Sequence, residues 1–483
     1  MKKSITTLIA CGLFALTAAC GGGGGGEGPK TPSKGGGSSG GPVAAELSKD
    51  AQAKFNAAID AFVEHDKANN WNDDVCKDVA SQFDAIGAAP ATFNAGLAYQ
   101  RCNDDKNARA RFEKALQQDP KFHHARAQIA LYDYKQNGNE DAAIGALQQA
   151  VIDAQFQNVP ALVNLALFQM ERDGSAGGQG CKDDMDCAKL NLQRALAIDD
   201  AFMPAFNQLA LYYFKLAKKR AGAVKGSSKS AKGRQLVTHA AMGKRADVQQ
   251  LELAALVCSQ AIRKNPNYAP IHNTAGLIQN ELGQVNGAVA EFATAAKLDP
   301  KFFEAQMNYA FVNLGFRGFE QAQVAFRKAL EMRPNDYDAH LGMALALRGP
   351  ITGAENDYDQ RVAAVQAELD AAKKIDPNRP DAYYNEGILT QEFKAKSGGA
   401  KEKTIAELES AKKIFQTFLD KAAGKPEYDG AVKRVKGDGS KKDLGRIGDI
   451  DDTIAFLKLD ANAQKDAQNQ GTTDAAPAEG EKK

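Results

Sequence analysis

The sequence predicts an all-α solenoid of stacked helix-turn-helix units, and three observations carry that expectation. Pro266, Pro300 and Pro334 stand 34 residues apart. Small and aromatic residues recur in register between those prolines. The best-marked units follow one another without a break, as expected where each unit must bury its apolar face on the next.

Within 269–302 the recurring residues are Gly276, Gly283, Ala288, Phe292, Ala295 and Pro300; within 303–336 they are Ala310, Ala322, Phe326, Ala329 and Pro334. Each type has a physical task. Small residues at Gly276 and Ala288 let the first helix (helix A) and the second (helix B) approach closely, Phe292 fills the space between them, and Pro300 breaks the helix. Upstream, 89–122 carries Gly96, Tyr99, Ala108, Phe112, Ala115 and Pro120. Residues 123–157 follow with Ala130, Ala143, Leu147 and Ala150, given one extra residue in the turn at Asn137-Gly138. Four more units fit if the link between helix A and helix B is lengthened: 159–200 (insert 174–186), 203–267 (217–245), 337–378 (349–359) and 381–420 (394–403). The solenoid thus spans 89–420, about eight repeats.

Capping elements are expected at both ends, because a terminal repeat must show one face to water. Residues 46–88 read as an N-terminal hairpin, Leu47 to Lys67 and Asn72 to Ile86, with Phe55, Ile59 and Phe62 at amphipathic spacing. Residues 421–460 read as the C-terminal cap, with a helix from Ile450 to Leu459 carrying Ile454, Phe456 and Leu457 inward. The polar stretch 461–483 is expected to lack structure.

Residues 1–19 read as a lipoprotein signal: Lys2 and Lys3, an apolar run from Ile5 to Leu16, then Thr17-Ala18-Ala19 before Cys20. Cys20 is the expected lipidation site. Residues 20–45 form a glycine-rich tether, with 12 glycines between positions 21 and 42. Its root-mean-square span is roughly 26 Å and its stretched reach about 75 Å. Several acyl chains hold a bilayer stably where one does not. Gly21, rather than an aspartate, follows the cysteine, so the expected location is the outer membrane, facing the periplasm.

The 61 basic and 60 acidic residues give no electrostatic reason to expect nucleic acid. In an oxidising compartment Cys181–Cys187 and Cys76–Cys102 are the candidate disulfides, with Cys258 in the core. No phosphate-binding loop is present. His65, His123, His124, His239, His272 and His340 show no metal or hydrolase spacing, and His272 and His340 share one template position suited to packing. The acidic loop 181–187 lacks the ligand number and turn glycine of a calcium loop. A basic run in the 217–245 insert, Lys218, Lys219, Arg220, Lys225, Lys229, Lys232 and Arg234, reads as a solvated loop or as a contact for an anionic surface. No catalytic residue, metal, cofactor or small-molecule substrate is expected.

The most informative positions are on helix A. Its ninth position, counted from Pro380 in the last unit, reads Leu97, Leu131, Leu167, Leu211, Leu277, Phe311, Leu345 and Ile388. Its fifth adds Phe93, Val163, Met307, Leu341 and Tyr384. An apolar stripe suits a partner's helix face or an extended apolar segment; the alternative reading makes it core under neighbouring helices.

On these residues, and on the layout of signal, tether and repeats, the chain resembles the tetratricopeptide-repeat (TPR) lipoproteins of Gram-negative bacteria, most of all the one in the adventurous gliding-motility complex. The resemblance implies a right-handed superhelix whose helix-A face is the partner-binding groove. It also implies a non-catalytic scaffold that binds other envelope proteins. An assembly role, similar to the TPR lipoproteins that help secretins, pili or barrel proteins reach the outer membrane, is the second function it implies.

Overall fold

The computed structural model describes residues 48–68, 70–175, 180–223, 248–396, 400–440 and 443–473. The signal, Cys20 and the tether lie outside them, as do residues 224–247, which include most of the 217–245 insert. The chain divides into two compact units, parting between residues 284 and 285.

The first unit opens with a hairpin of α1 (Lys49–Ala68) and α2 (Asp73–Asp84). Asn72 starts α2 by accepting from the amides of Asp74 and Val75, which satisfies donors that have no partner inside the helix. Phe55 and Phe62 are buried, and Phe62 meets Trp71 edge-on at 5.0 Å between ring centroids. Four helix pairs and one further helix follow: α3 (Ala89–Arg101) with α4 (Asp105–Gln118), α5 (His123–Asn137) with α6 (Glu140–Asp153), α7 (Val159–Arg172) with α8 (Asp184–Ile198), α9 (Met203–Ala223) with α10 (Val248–Lys264), and α11 (Ala269–Glu281). Their ends show why the sequence breaks where it does. Asp104, Asn139, Asn158 and Asp183 accept amides of the helices they precede, while Gly138 adopts a left-handed φ of 67° to end α5.

Inside 89–122 the expected close approach of helices A and B is present. A Cβ placed on Gly96 falls 2.5 Å from Phe112, whose ring is fully buried. A phenylalanine so enclosed contributes about 1.5–3 kcal/mol relative to an exposed one.

The hairpin is latched to the first repeat by charge as well as by packing. Arg101 grips Asp66 through Nε and Nη2, both at 2.7 Å, and Trp71 Nε1 donates to the same carboxylate at 2.8 Å. Both charged side chains are only 11% exposed. Cys76 and Cys102 form a disulfide beside this latch, with their Cα atoms 6.4 Å apart.

The second unit contains α12 (Val285–Leu298), α13 (Phe303–Gly315) with α14 (Phe319–Met332), α15 (Tyr337–Arg348) with α16 (Tyr358–Ile375), and α17 (Asp381–Glu392) with α18 (Lys401–Ala422). Phe326 and Phe415 are each fully buried against a glycine, Gly342 and Gly387. A 3-10 turn (Pro426–Tyr428) leads into α19 (Asp429–Lys436), and α20 (Gly445–Thr473) closes the described chain.

Two expectations change here. The C-terminal helix runs on to Thr473, because Ala461, Ala463, Gln464, Lys465 and Ala467 favour helix and no proline intervenes. Its inward stripe is Ile450, Ile454 and Leu457, while Phe456 is 69% exposed. Residue 456 lies off the i, i+4, i+7 stripe that those three define, so it cannot share their face.

Candidate functional site

The helix-A face is built from the ninth positions and their neighbours, and its burial differs from helix to helix. Leu131 and Leu167 are buried; Leu97, Leu211, Leu277, Phe311, Leu345 and Ile388 are half-buried. Four of those six pack against core clusters, whereas Leu211 and Leu345 belong to none of them.

Helix α7 explains the buried extreme. Every residue from Ala161 to Met170 is buried, and a helix apolar all round is an interior one. Part of its cover is α9, which is longer than its counterparts; Lys215 on it donates to the Met170 carbonyl. Two pairs of enclosed polar side chains in the first unit meet one another. Asn191 donates to Gln169 at 3.0 Å and Thr274 to Asn207 at 2.7 Å, which removes the cost of burying them unpaired.

In the second unit the face is more open and more charged. Tyr384, Ile388 and Gln391 share one side of α17 at i, i+4 and i+7, all half-buried. Arg434 of α19 stacks toward Tyr384 and donates to its hydroxyl at 3.1 Å. Arg446 of α20 donates to Gln391 at 2.7 Å and to Glu392 at 3.1 Å. Arg348, the last residue of α15, donates to the Asn385 carbonyl at 3.3 Å. These three arginines were not foreseen. Arg348 is readable as a helix-A residue three places after Leu345, but Arg434 and Arg446 sit in the cap, where no repeat template applies.

Cys181–Cys187 is the second disulfide, Cα atoms 5.1 Å apart, and Cys258 is buried in the core outside both bridges. The acidic loop between them has its carboxylates committed. Asp183 caps α8, Asp186 accepts the Lys182 amide, and Asp184 takes Arg172 at 2.7 Å together with the Gly174 amide. Burial works against ionisation of Asp184, and those bonds outweigh it, holding the carboxyl below its ordinary range. Arg172 also reaches Asp141 at 2.8 Å, tying two repeats together.

The basic run divides. Lys218, Lys219 and Arg220 fall on the last turns of α9 instead of in a loop, since lysine, arginine, alanine and leucine sustain a helix there. Lys218 pairs with Glu281 at 2.8 Å and Lys219 with Asp173 at 2.7 Å. Lys225, Lys229, Lys232 and Arg234 lie outside the described residues, as does His239.

The two histidines at one template position make the same bond. His272 Nε2 lies 2.8 Å from the Pro266 carbonyl and His340 Nε2 lies 2.9 Å from that of Pro334. His340 Nδ1 also lies 2.6 Å from Glu368, and that carboxylate raises its pKa. A ring flanked by a carbonyl and a carboxylate satisfies both only as the imidazolium. The rings of His123 and His124 lie 4.3 Å apart, tilted to one another by 44°; burial, then the neighbouring His123, brings the His124 pKa down to about 4. Among the described residues no three His, Cys, Asp or Glu side chains converge as metal ligands. No described helix is long and apolar enough to cross a membrane.

Residues 89–122 match the family model for the tetratricopeptide repeat. No curated protein matches the chain. Among solved structures, a thermophilic TPR protein of Thermus thermophilus is 24% identical, with 47% of this chain and 98% of that one covered, at a TM-score of 0.36. A tetratricopeptide repeat protein from Parabacteroides merdae is 14% identical, covering 62% and 98%, at 0.35. PilF of Pseudomonas aeruginosa is 16% identical, covering 55% and 97%, at 0.35. The helix pairs and the match at 89–122, rather than these low scores, support the TPR solenoid fold.

Proposed function

We propose that the chain is a lipid-anchored scaffold of the outer membrane, facing the periplasm, that captures segments of other envelope proteins on its helix-A faces. It has no catalytic role in this reading, as is typical of a TPR fold. The carrying observation is the apolar ninth position repeated through eight helices A, with six of the eight residues half-buried instead of sealed. A side chain left partly open at regular intervals offers a partner apolar contact area at little cost in order, because the helix pairs already hold it. The lipobox ending in Cys20 supports the anchor, and the resemblance in layout supports a place in a gliding-motility machine.

The test is capture from detergent-solubilised envelopes, with mass spectrometry of what is bound. Leu211→Glu and Leu345→Glu should abolish capture while helicity stays unchanged, these two being half-buried and outside the core clusters. Unchanged capture would overturn the groove. Recovery of secretin or barrel-assembly proteins in place of motility proteins would favour the assembly role. Cys20→Ala should release the protein from membranes, and continued recovery in the membrane fraction would refute the anchor.

A further inference from the structure

In the second unit α19 and the start of α20 border a recess of about 620 Å³, a volume typical of small-ligand sites. Its lining carries three cations, Lys433, Arg434 and Arg446, and three carboxylates, Glu392, Asp443 and Asp449. One opposite pair is already joined: Arg446 donates to Glu392 at 3.1 Å and is steadied by Gln391 at 2.7 Å. The other four charges are not neutralised by one another. Among the described residues Lys433 and Arg434 make no ion pair with Asp443 or Asp449, and Arg434 donates instead to the neutral Tyr384 hydroxyl at 3.1 Å.

The fold holds these charges apart. Val435 of α19 and Ile450 of α20 are buried in one core cluster, which sets the two helices against each other. Asp443 is pinned through its backbone: its carbonyl accepts the Asp438 amide at 3.1 Å and its amide donates to the Ser440 carbonyl at 3.2 Å. A Cβ on Gly437 would lie 2.2 Å from that same carbonyl oxygen, and Gly437 has a left-handed φ of 74° that glycine alone adopts freely. Asp449 follows Arg446 by three residues and so shares its face of α20. A lining with both signs and no net charge has no general attraction for an anion or a cation. It matches a ligand that is neutral overall and carries both charges, because each end then meets its opposite.

We propose that this recess binds a short peptide as a zwitterion, its terminal carboxylate against Lys433 and Arg434 and its terminal ammonium against Asp443 and Asp449. Guanidinium takes a carboxylate through paired donors, and an ammonium offers three hydrogens that carboxylates accept. Leu444 is the one large apolar side chain in the lining, so affinity comes from the ends and backbone of the ligand and not from an apolar side chain. This is a second binding function, apart from the ninth positions of helix A, and it departs from the expectation that the chain takes no small molecule.

The experiment is isothermal titration calorimetry of the full chain with triglycine, whose only charges are its two ends. N-acetyl-triglycine lacks the ammonium and triglycine amide lacks the carboxylate. Triglycine should bind about tenfold more tightly than either. Lys433→Gln with Arg434→Gln should reduce triglycine to the level of triglycine amide on the unaltered chain. Asp443→Asn with Asp449→Asn should reduce it to the level of N-acetyl-triglycine. None of the four side chains is buried, so circular dichroism should show helicity unchanged in both variants. The single changes Lys433→Gln and Asp449→Asn, both at exposed side chains, should each weaken triglycine as well. Equal binding of triglycine and N-acetyl-triglycine makes this a plain anion site and overturns the proposal; equality with triglycine amide makes it a cation site and does the same. An undiminished preference for triglycine in either double variant, or no saturable binding of triglycine, also overturns it.

Discussion

Gly96→Ala should destabilise the first repeat although it improves the helix that carries it. Alanine in place of glycine inside a helix gains about 1 kcal/mol from propensity alone. Against that gain, the new Cβ would lie 2.5, 2.8 and 3.0 Å from Cε1, Cδ1 and Cζ of Phe112. Carbon atoms prefer separations of about 3.5–4.0 Å, so the ring must retreat by roughly 1 Å. It has little room: Phe112 is fully buried, with Phe93 at 5.2 Å and Tyr132 at 6.0 Å between centroids. Overpacking of that kind costs about 1–3 kcal/mol, leaving a net loss of up to about 2 kcal/mol. Gly145 in α6 is the matched control, since nothing lies within 4 Å of its added Cβ. Gly145→Ala should therefore stabilise by about 1 kcal/mol. Amide hydrogen exchange is the suitable assay, because it reads α3 and α4 locally and does not assume that a long array melts in one step. Adding Phe112→Leu to Gly96→Ala should recover part of the loss, the sign of a coupled pair. Equal stabilisation by Gly96→Ala and Gly145→Ala would refute the close-packing argument.

Asp66→Ala should cost about 3–5 kcal/mol of local stability at the N-terminal hairpin by removing the buried carboxylate that Arg101 grips; the protection of α1 and α3 in hydrogen exchange measures it, and unchanged protection would show the latch to be idle. His340 has a pKa raised by Glu368, so its contribution is complete below the ordinary histidine value and is lost as pH rises through the higher folded value. In Glu368→Gln that loss should vanish, read by melting temperature across neutral and mildly alkaline pH. His124 has the opposite sign. Above its ordinary value of 6.5 it contributes nothing; as pH falls toward about 4 the unfolded chain binds a proton that the folded one refuses, and stability declines. Proton NMR should show His124 still largely neutral about one pH unit above that folded value, and an ordinary titration there would contradict its burial.

The helix pairs within each unit were legible because prolines, glycines and small residues mark both the period and the contacts that produce it. Gly96 against Phe112 and Gly387 against Phe415 show the same small-to-aromatic contact at opposite ends of the array. Less legible was anything set by a neighbour without a template. The ninth positions look alike in sequence, yet Leu167 is buried and Leu345 half-buried. Their difference comes from what lies over each helix, including the unusual length of α9, which the basic run concealed. Helix α19 has eight residues, too few to show a period, and it brings Arg434 to the Tyr384 hydroxyl. Phe456 was misplaced because hydrophobicity alone suggested an inward direction that helical geometry denies it.

The Cys76–Cys102 bridge also fixes the path that tension would follow. A pull on the chain from its N-terminal side loads α1 and the turn after it, then meets Cys76. From there the covalent link carries force directly to Cys102, 26 residues further on, and the backbone between them is bypassed. The bypassed stretch contains most of α2 and all of α3, including Gly96 and Leu97. Before any load reaches that bond it must open the grip of Arg101 on Asp66, which thus acts as a reversible fuse that yields before a permanent strut takes the load. Reduction of the disulfide frees the bypassed segment to extend, so single-molecule extension of the oxidised chain should fall short of the reduced chain by the length of that segment.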